Sequence, residues 1–256
     1  MIRRTLVVGV LALVGAAVTA TSALANHSWG SYHWGRTANP FTLTMIDTTS
    51  SNWTTYVNGA GADWASSPVL NVTRTTGTSS RRCKPVAGKI QVCNDSYGNN
   101  GWLGVASIWT QSGSTHIAQG TTKLNDSYFN SGTYNTPAWR AMVSCQEIGH
   151  DFGLDHQDEN FNNGNLGTCM DYTNNPSTNQ HPNQGDYDQL LCIYDTGSRG
   201  RTLSTSTHSC TGTGHLDSSN SFSSVIAQAP GQGDTIVSHH GDVTEITHVF
   251  WANPLH

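Results

Sequence analysis

The chain has 256 residues, with 12 Lys and Arg, 17 Asp and Glu and a formal net charge of −5, which suits one well-cored domain and excludes a large multidomain assembly. Charged residues make up 11% of the sequence, against about 25% in an average soluble protein, and Ser, Thr, Asn and Gly supply the polarity instead. This composition is common in secreted hydrolases, and the lack of a basic stripe argues against nucleic acid as a partner.

Residues 1–25 have the features of an export signal. Arg3 and Arg4 form a positive start, an apolar run follows, and Ala23–Ala25 is a small-residue cleavage site. The apolar run falls short of the roughly 18 residues that a membrane anchor, the alternative, would need. We therefore expect a secreted protein without a membrane anchor, in which residues 26–40 form an N-terminal arm or pro-segment.

The apolar pattern after the arm predicts an α+β domain. Strands are indicated by alternating or β-prone runs between Gly, Ser and Asn clusters, and helices by apolar spacings of three and four. The predicted elements, in chain order, are a strand at Phe41–Ile46, a helix at Asn52–Ala65, strands at Val69–Thr75, Lys89–Cys93, Trp102–Thr110 and His116–Leu124, helices at Pro137–Phe152 and Asn183–Tyr194, and a terminal strand at Val243–Trp251.

The helix after Thr136 is the clearest of these elements. Thr136 is a suitable N-cap, and Pro137 fits the first helical position. Gly153 fits a left-handed C-terminal cap. Gln146 and His150 lie four residues apart and therefore share the helix face that is predicted to point inward.

The six cysteines all follow the predicted leader: Cys83, Cys93, Cys145, Cys169, Cys192 and Cys210. An even set in an exported chain predicts three disulfides. Cys83 is predicted to pair with Cys93, because the turn residues Pro85 and Gly88 lie between them, and the other two pairings stay open. A cysteine metal site is disfavoured because the sequence has no C-x-x-C pair.

The segment from Gln146 to His156 has the pattern of a catalytic metal site. Gln146 and His150 can point at one ion from the same helix face, while Glu147, one step round, can reach a water molecule at that ion. Gly153 permits the sharp turn that brings His156 to the same ion. Three protein ligands with one open position are typical of catalytic zinc.

This segment resembles the H-E-x-x-H-x-x-G-x-x-H zinc helix of the metzincin metallopeptidases, and Cys169-Met170-Asp171-Tyr172 resembles their Met-turn. The resemblance covers roughly residues 41–195. It implies a secreted zinc endopeptidase, a monomer, that hydrolyses an extended peptide or protein substrate.

The resemblance also implies a fold. We expect a twisted, mixed five-stranded sheet with an active-site helix in an N-terminal catalytic subdomain, residues 41–156. A smaller, irregular C-terminal subdomain, residues 157–256, would carry the Met-turn, a helix and a terminal extension. The peptide substrate would pair with the edge strand predicted at Trp102–Thr110.

Residue roles follow from the same resemblance. His150 and His156 would be zinc ligands, Glu147 the general base, and Met170 the residue beneath the metal. Tyr172 occupies the position of a phenol that stabilises the transition state in some metzincins. The alternative for Tyr172 is an ordinary core or surface tyrosine.

Gln146 departs from the metzincin motif, which has a histidine at this position. An amide oxygen is neutral like imidazole but is a poorer donor to zinc, so weaker metal binding is expected. Three alternatives stay open. In the first, Gln146 ligates the zinc. In the second, a histidine from elsewhere in the chain replaces it, and His181 is the first candidate. In the third, the metal site is inactive and the chain is a metzincin-derived secreted binding module. Zinc-dependent hydrolysis of a non-peptide substrate is a further reading.

The remaining histidines lack ligand spacing and are predicted to be surface or structural residues: His27, His33, His116, His208, His215, His239, His240, His248 and His256. Four acidic residues crowd the metal segment: Asp155, Asp158, Glu159 and Asp171. Their carboxylates can orient ligand imidazoles or bind Ca²⁺, and the alternative is a solvated acidic loop.

Overall fold

The structure is a computed structural model that describes residues 27–130, 132–194 and 235–252. The leader predicted at 1–25, and Cys210, His208, His215 and His256, lie outside these residues. Among the residues that are described, no helix is long and apolar enough to cross a membrane.

The described chain alternates strands and helices. Its elements are β1 (His33–Trp34), β2 (Phe41–Asp47), α1 (Ser51–Trp64), β3 (Leu70–Thr76), β4 (Lys89–Asp95), β5 (Trp102–Gln111), β6 (His116–Asn125), α2 (Asp126–Phe129), α3 (Pro137–Asp151), α4 (Gln184–Tyr194), β7 (Thr235–His240) and β8 (Val243–Trp251), with 3₁₀ turns at Gly132–Tyr134 and Pro176–Thr178. Every element predicted from the sequence is present, with bounds that differ by two residues or fewer.

The strands form one mixed sheet in the order β3-β2-β4-β6-β5-β8-β7, and β1 pairs with β6. Strands β3, β2, β4 and β6 run parallel to one another. Strand β5 is antiparallel to both β6 and β8, and β7 is antiparallel to β8. The α+β class is therefore confirmed. The sheet has eight described strands rather than the expected five, because the arm contributes β1 and the terminal extension contributes the hairpin β7–β8.

The N-terminal arm packs into the core. Trp29 and Trp34 are both buried, and the indole nitrogen of Trp34 donates to the carbonyl oxygen of Asp151 at 2.8 Å. The backbone nitrogen of Trp29 donates to the carbonyl oxygen of Gly153 at 2.8 Å. Burial of two indoles holds the segment in place. Its removal as a pro-segment stays a prediction.

Helix α3 lies at the centre of the molecule and is capped as its sequence predicts. The hydroxyl of Thr136 accepts from the backbone nitrogen of Trp139 at 3.3 Å, and Pro137 occupies the first turn. Gly153 has φ +87°, the left-handed conformation that the chain needs to turn back after the helix. A helix in which every residue from Trp139 to Asp151 except Ala141 is buried provides a rigid support for side chains that point inward.

Two disulfides join described cysteines. The Cys83–Cys93 pair is confirmed, and a second bridge links Cys145 of α3 to Cys169. Cys192 is also disulfide-bonded. The Cys145–Cys169 bridge ties α3 directly to the loop that carries Met170.

Replacement of Gly153 by alanine should destabilise the fold. A Cβ atom there would collide with the carbonyl oxygen of Tyr32, and the positive φ is strained for any L side chain, so we expect a loss of roughly 1–3 kcal/mol. Gly59→Ala is the matched control. Gly59 lies inside α1 with open space around it, so its replacement should stabilise by about 0.5–1 kcal/mol. Urea unfolding measures both, and equal stability of the two variants would contradict the prediction.

Candidate metal centre

Three buried histidines meet at the C-terminal end of α3. His150 comes from α3, His156 from the loop that follows, and His248 from β8, and their ligand nitrogens lie within 4.8 Å of one another. The ring centre of His150 is 4.7 Å from that of His156 and 3.8 Å from that of His248. Three imidazoles converging in this way are a suitable ligand set for a transition metal.

The hydrogen bonds of the cluster leave ring nitrogens of His150 and His156 without protein partners, whereas both ring nitrogens of His248 have one. Nδ1 of His150 lies 2.9 Å from the carbonyl oxygen of Leu154, so this nitrogen carries the proton and donates, and the lone pair is on Nε2. Among the described residues, Nε2 of His150 and both ring nitrogens of His156 are buried and have no hydrogen-bond partner. Buried polar atoms are rarely left unsatisfied, and a cation would satisfy these. The residues therefore fit a bound metal ion.

Burial also keeps the imidazoles in the neutral form that binds metals. It lowers the pKa of His150 well below the ordinary value, an effect reinforced by the neighbouring rings of His248 and His156. Burial likewise lowers the pKa of His156 and brings the pKa of His248 down to about 3. Neutral histidines have lone pairs available at physiological pH, so little proton competition opposes metal binding.

Gln146 lies one turn before His150 and is fully buried. Its amide nitrogen donates to the carbonyl oxygen of Cys169 at 2.7 Å, which fixes the amide group and leaves Oε1 as the atom available to other groups. Oε1 is buried and has no hydrogen-bond partner in the described chain. Its assignment as a metal ligand stays a prediction, and this unsatisfied oxygen is compatible with it.

Glu147 is buried between α3 and β5. Gly104 of β5 makes room for it, because a Cβ there would lie 2.8 Å from the Glu147 Oε1 atom. Oε2 of Glu147 is 3.3 Å from Nδ1 of His248, and Oε1 has no hydrogen-bond partner in the described residues. Burial raises the pKa of this carboxyl group well above its ordinary value.

Met170 packs directly beneath α3. A Cβ on Gly149 would lie 2.7 Å from the Met170 sulfur, so the helix and the loop approach closely at the residue before His150. The Cys145–Cys169 bridge and the hydrogen bond from Gln146 hold the same loop. The predicted Met-turn residue therefore lies next to the helix that carries His150.

Tyr172 lies beside the histidine cluster. Its ring centre is 4.2 Å from that of His156, and its ring stacks on Phe161 with centres 4.7 Å apart. The hydroxyl oxygen is 3.3 Å from Nε2 of His248. The phenol group is thus within reach of the centre, on the opposite side of the His248 ring from Glu147.

His181 does not join the cluster. It is exposed, and its Nδ1 lies 2.8 Å from a carboxylate oxygen of Asp63. The structure instead brings in His248, which is predicted from the sequence only as a surface or structural histidine. The alternation within β8 held a usable signal: Ile246, His248 and Phe250 share the buried face of the strand, and a histidine in phase with two core residues is a candidate for a buried role.

The four acidic residues near the metal segment have different surroundings. Oδ1 of Asp155 and Oε1 of Glu159 each lie 3.6 Å from Nδ1 of His156, and these three residues form a second group that could hold a cation. Asp158 and Asp171 accept hydrogen bonds from their own loop instead. A cleft of about 490 Å³ opens at this side of His156.

The edge of β5 that the sequence analysis assigned to a peptide substrate is not free. Strand β8 pairs with it from Trp102, opposite Trp251, to Gln111, opposite Val243. The expectation of an open edge at Trp102–Thr110 is therefore wrong for this arrangement. Local alternation predicted β8 as a strand but could not identify its partner.

Comparison of the chain with protein-family models gave no match, and comparison with curated proteins gave none either. The resemblance to metzincins therefore rests on the motif residues themselves.

Replacement of His150 or His156 by alanine should release the metal. Each change removes a ligand nitrogen, and we expect zinc affinity to fall more than the roughly 10–100-fold that loss of a supporting hydrogen bond causes. The control is His181→Ala, an exposed histidine outside the cluster. Elemental analysis after dialysis reports zinc per chain, and full zinc content in either cluster variant would show that the ligand assignment is wrong.

Substitution of Gln146 tests its own role. Gln146→His supplies the stronger imidazole donor and should tighten zinc binding, while Gln146→Ala removes the oxygen and should weaken it. Competition with a chromophoric chelator measures the zinc affinity, which should be highest for the histidine variant, lower for the parent and lowest for the alanine variant. Equal affinity of parent and alanine variant would remove Gln146 from the ligand set.

Proposed function

We propose that this protein is a secreted, zinc-dependent endopeptidase of the metzincin type. The main support is the convergence of three buried, neutral histidines on one point, two of them with unpartnered Nε2 atoms, beside the buried carboxyl group of Glu147. A structural zinc site would have no use for Glu147 at this position, whereas hydrolysis requires a base next to the metal.

In this proposal Gln146, His150 and His156 hold the zinc ion. When bound, zinc supplies Lewis acidity, which polarises the scissile carbonyl group and lowers the pKa of water. Glu147 accepts the proton of the attacking water and passes it to the leaving amine. Burial raises the pKa of Glu147, and a divalent cation nearby acts in the opposite direction by favouring the charged carboxylate.

The other predicted residues have supporting roles. Tyr172 donates a hydrogen bond from its hydroxyl group to the developing oxyanion, and Met170 supports the centre from beneath α3. Residues 41–156 would supply the base and ligands, and residues 157–256 would supply Met170 and Tyr172. Ca²⁺ at the carboxylate oxygens of Asp155 and Glu159 is a separate proposal, which leaves the nitrogens of His156 to zinc because Ca²⁺ takes oxygen ligands.

A binding module without turnover is the second candidate. The observation in its favour is burial, because Glu147, His150 and His248 are almost inaccessible to solvent and β8 covers the expected substrate edge. Such a protein would bind zinc and would hydrolyse no peptide. Turnover therefore distinguishes the two candidates, whereas metal content does not.

Replacement of Glu147 by alanine tests the proposed reaction. We expect peptide hydrolysis to fall by roughly 10²-fold or more, as is usual when a general base is lost, while zinc content stays at the parent level because Glu147 is not a ligand. Hydrolysis of a fluorogenic casein by zinc-loaded protein is the measurement. Asp242→Ala, at the exposed turn between β7 and β8, is the carboxylate control. An alanine variant within threefold of the parent would contradict the mechanism.

A further inference from the structure

Strand β8 has the position and direction of a peptide that adds to a sheet edge. Strand β5 is antiparallel to β6, and β8 continues the sheet on its other side, antiparallel to β5 along its length. Peptides that bind by strand addition use main-chain hydrogen bonds along such an edge, with alternate side chains entering pockets. In β8 the alternate residues Ile246, His248 and Phe250 point into the core.

The His248 ring lies between the two side chains that the proposed reaction uses. Its Nδ1 is 3.3 Å from Oε2 of Glu147, and its Nε2 is 3.3 Å from the hydroxyl oxygen of Tyr172. A reacting water molecule and a scissile carbonyl group would both need this space. His248 and a substrate therefore cannot occupy the centre together.

We propose that the hairpin β7–β8 is a built-in, substrate-like inhibitor of the protein. This inference rests on the proposed function. Strand β8 occupies the peptide edge of β5, and the His248 ring fills the position beside His150 and His156 that would otherwise be open to water. A peptide substrate binds only while β8 is away from β5, so the parent protein hydrolyses peptides at the low rate that transient opening allows.

The metal remains bound when the hairpin leaves, because the other ligands belong to different elements. Gln146 and His150 are on α3, which ends at Asp151, and His156 follows on the loop after Gly153. The unpartnered atoms Oε1 of Gln146 and Nε2 of His150 do not depend on β8 for their position. Departure of His248 would convert a closed centre into one with an open position.

Contacts along β8 make the closed arrangement the resting one. Ile246 and Phe250 are buried, and the ring of Phe250 lies near those of Trp139 and Tyr172. The same contacts indicate the substrate class. A peptide that replaces β8 would carry large apolar side chains two positions to either side of the residue that faces the metal.

A reversible covalent lock tests the proposal in the full chain. Ser107 and Thr247 are directly opposite each other, with hydroxyl oxygens 2.7 Å apart, so Ser107→Cys combined with Thr247→Cys places two thiols within reach of a disulfide. The probe is a fluorescent nonapeptide with the sequence of residues 243–251. We expect the oxidised variant to bind it at least about tenfold more weakly than the reduced variant, a change of about 1.4 kcal/mol, with the same zinc content.

The parent protein, treated with the same reductant, controls for the native disulfides. Equal binding of the nonapeptide to the oxidised and reduced variants would overturn the proposal. This comparison needs no turnover. One outcome is that reduction restores peptide binding while the protein hydrolyses no peptide in either state. That result would contradict the proposed function and still support the hairpin as an occupant of the peptide site.

A second variant separates an inhibitory His248 from a permanent ligand. His248→Phe keeps a ring of similar size but cannot bind metal, and we expect it to retain zinc and bind the nonapeptide at least about tenfold more tightly than the parent. His240→Ala, on the exposed part of the same hairpin, is the control and should leave both properties unchanged. Loss of zinc from the phenylalanine variant would overturn the proposal, because His248 would then be a resident ligand and β8 a fixed part of the site.

Discussion

The structure depends on the burial of several polar side chains in one place. Imidazoles, an amide and a carboxyl group that are removed from solvent must find partners, since each unsatisfied group costs free energy comparable to a lost hydrogen bond. The carbonyl oxygens of Leu154 and Cys169 satisfy part of this need. A cation would satisfy much of the remainder. The arm, the loop with Met170 and the terminal hairpin all enclose this one group of side chains.

The local structure could be predicted from the sequence because local forces determine it. Apolar spacing and capping residues gave the bounds of α3, from Pro137 at its start to Gly153 after its end. The Cys83–Cys93 bridge followed from the turn between its cysteines. The spacing of Gln146, His150 and His156 led to the right part of the molecule for the same reason, since all three lie within eleven residues of chain.

The sequence did not predict which distant segments meet. Strand β8 is predicted as a strand, but alternation does not identify a partner about 140 residues away, so His248 is predicted only as a surface or structural residue and not as a member of the cluster. The packing of the arm into the core could not be predicted because Trp29 and Trp34 lack periodicity, although large aromatic side chains often anchor irregular segments. His181 was favoured over His248 because it lies closer to Met170 along the chain, and chain distance is a weak guide to contacts across a sheet.

The long separation between β5 and β8 also affects the order of folding. Closing a loop of this length has a high entropic cost, so such contacts tend to form after the local ones. We expect β2 to β6 and α3 to assemble first, with the histidines on α3 and its loop open to metal. Strand β5 would be an unprotected sheet edge during this interval, and such edges invite aggregation. Late amide protection of β8 in pulse-labelled refolding would mark the end of this vulnerable period.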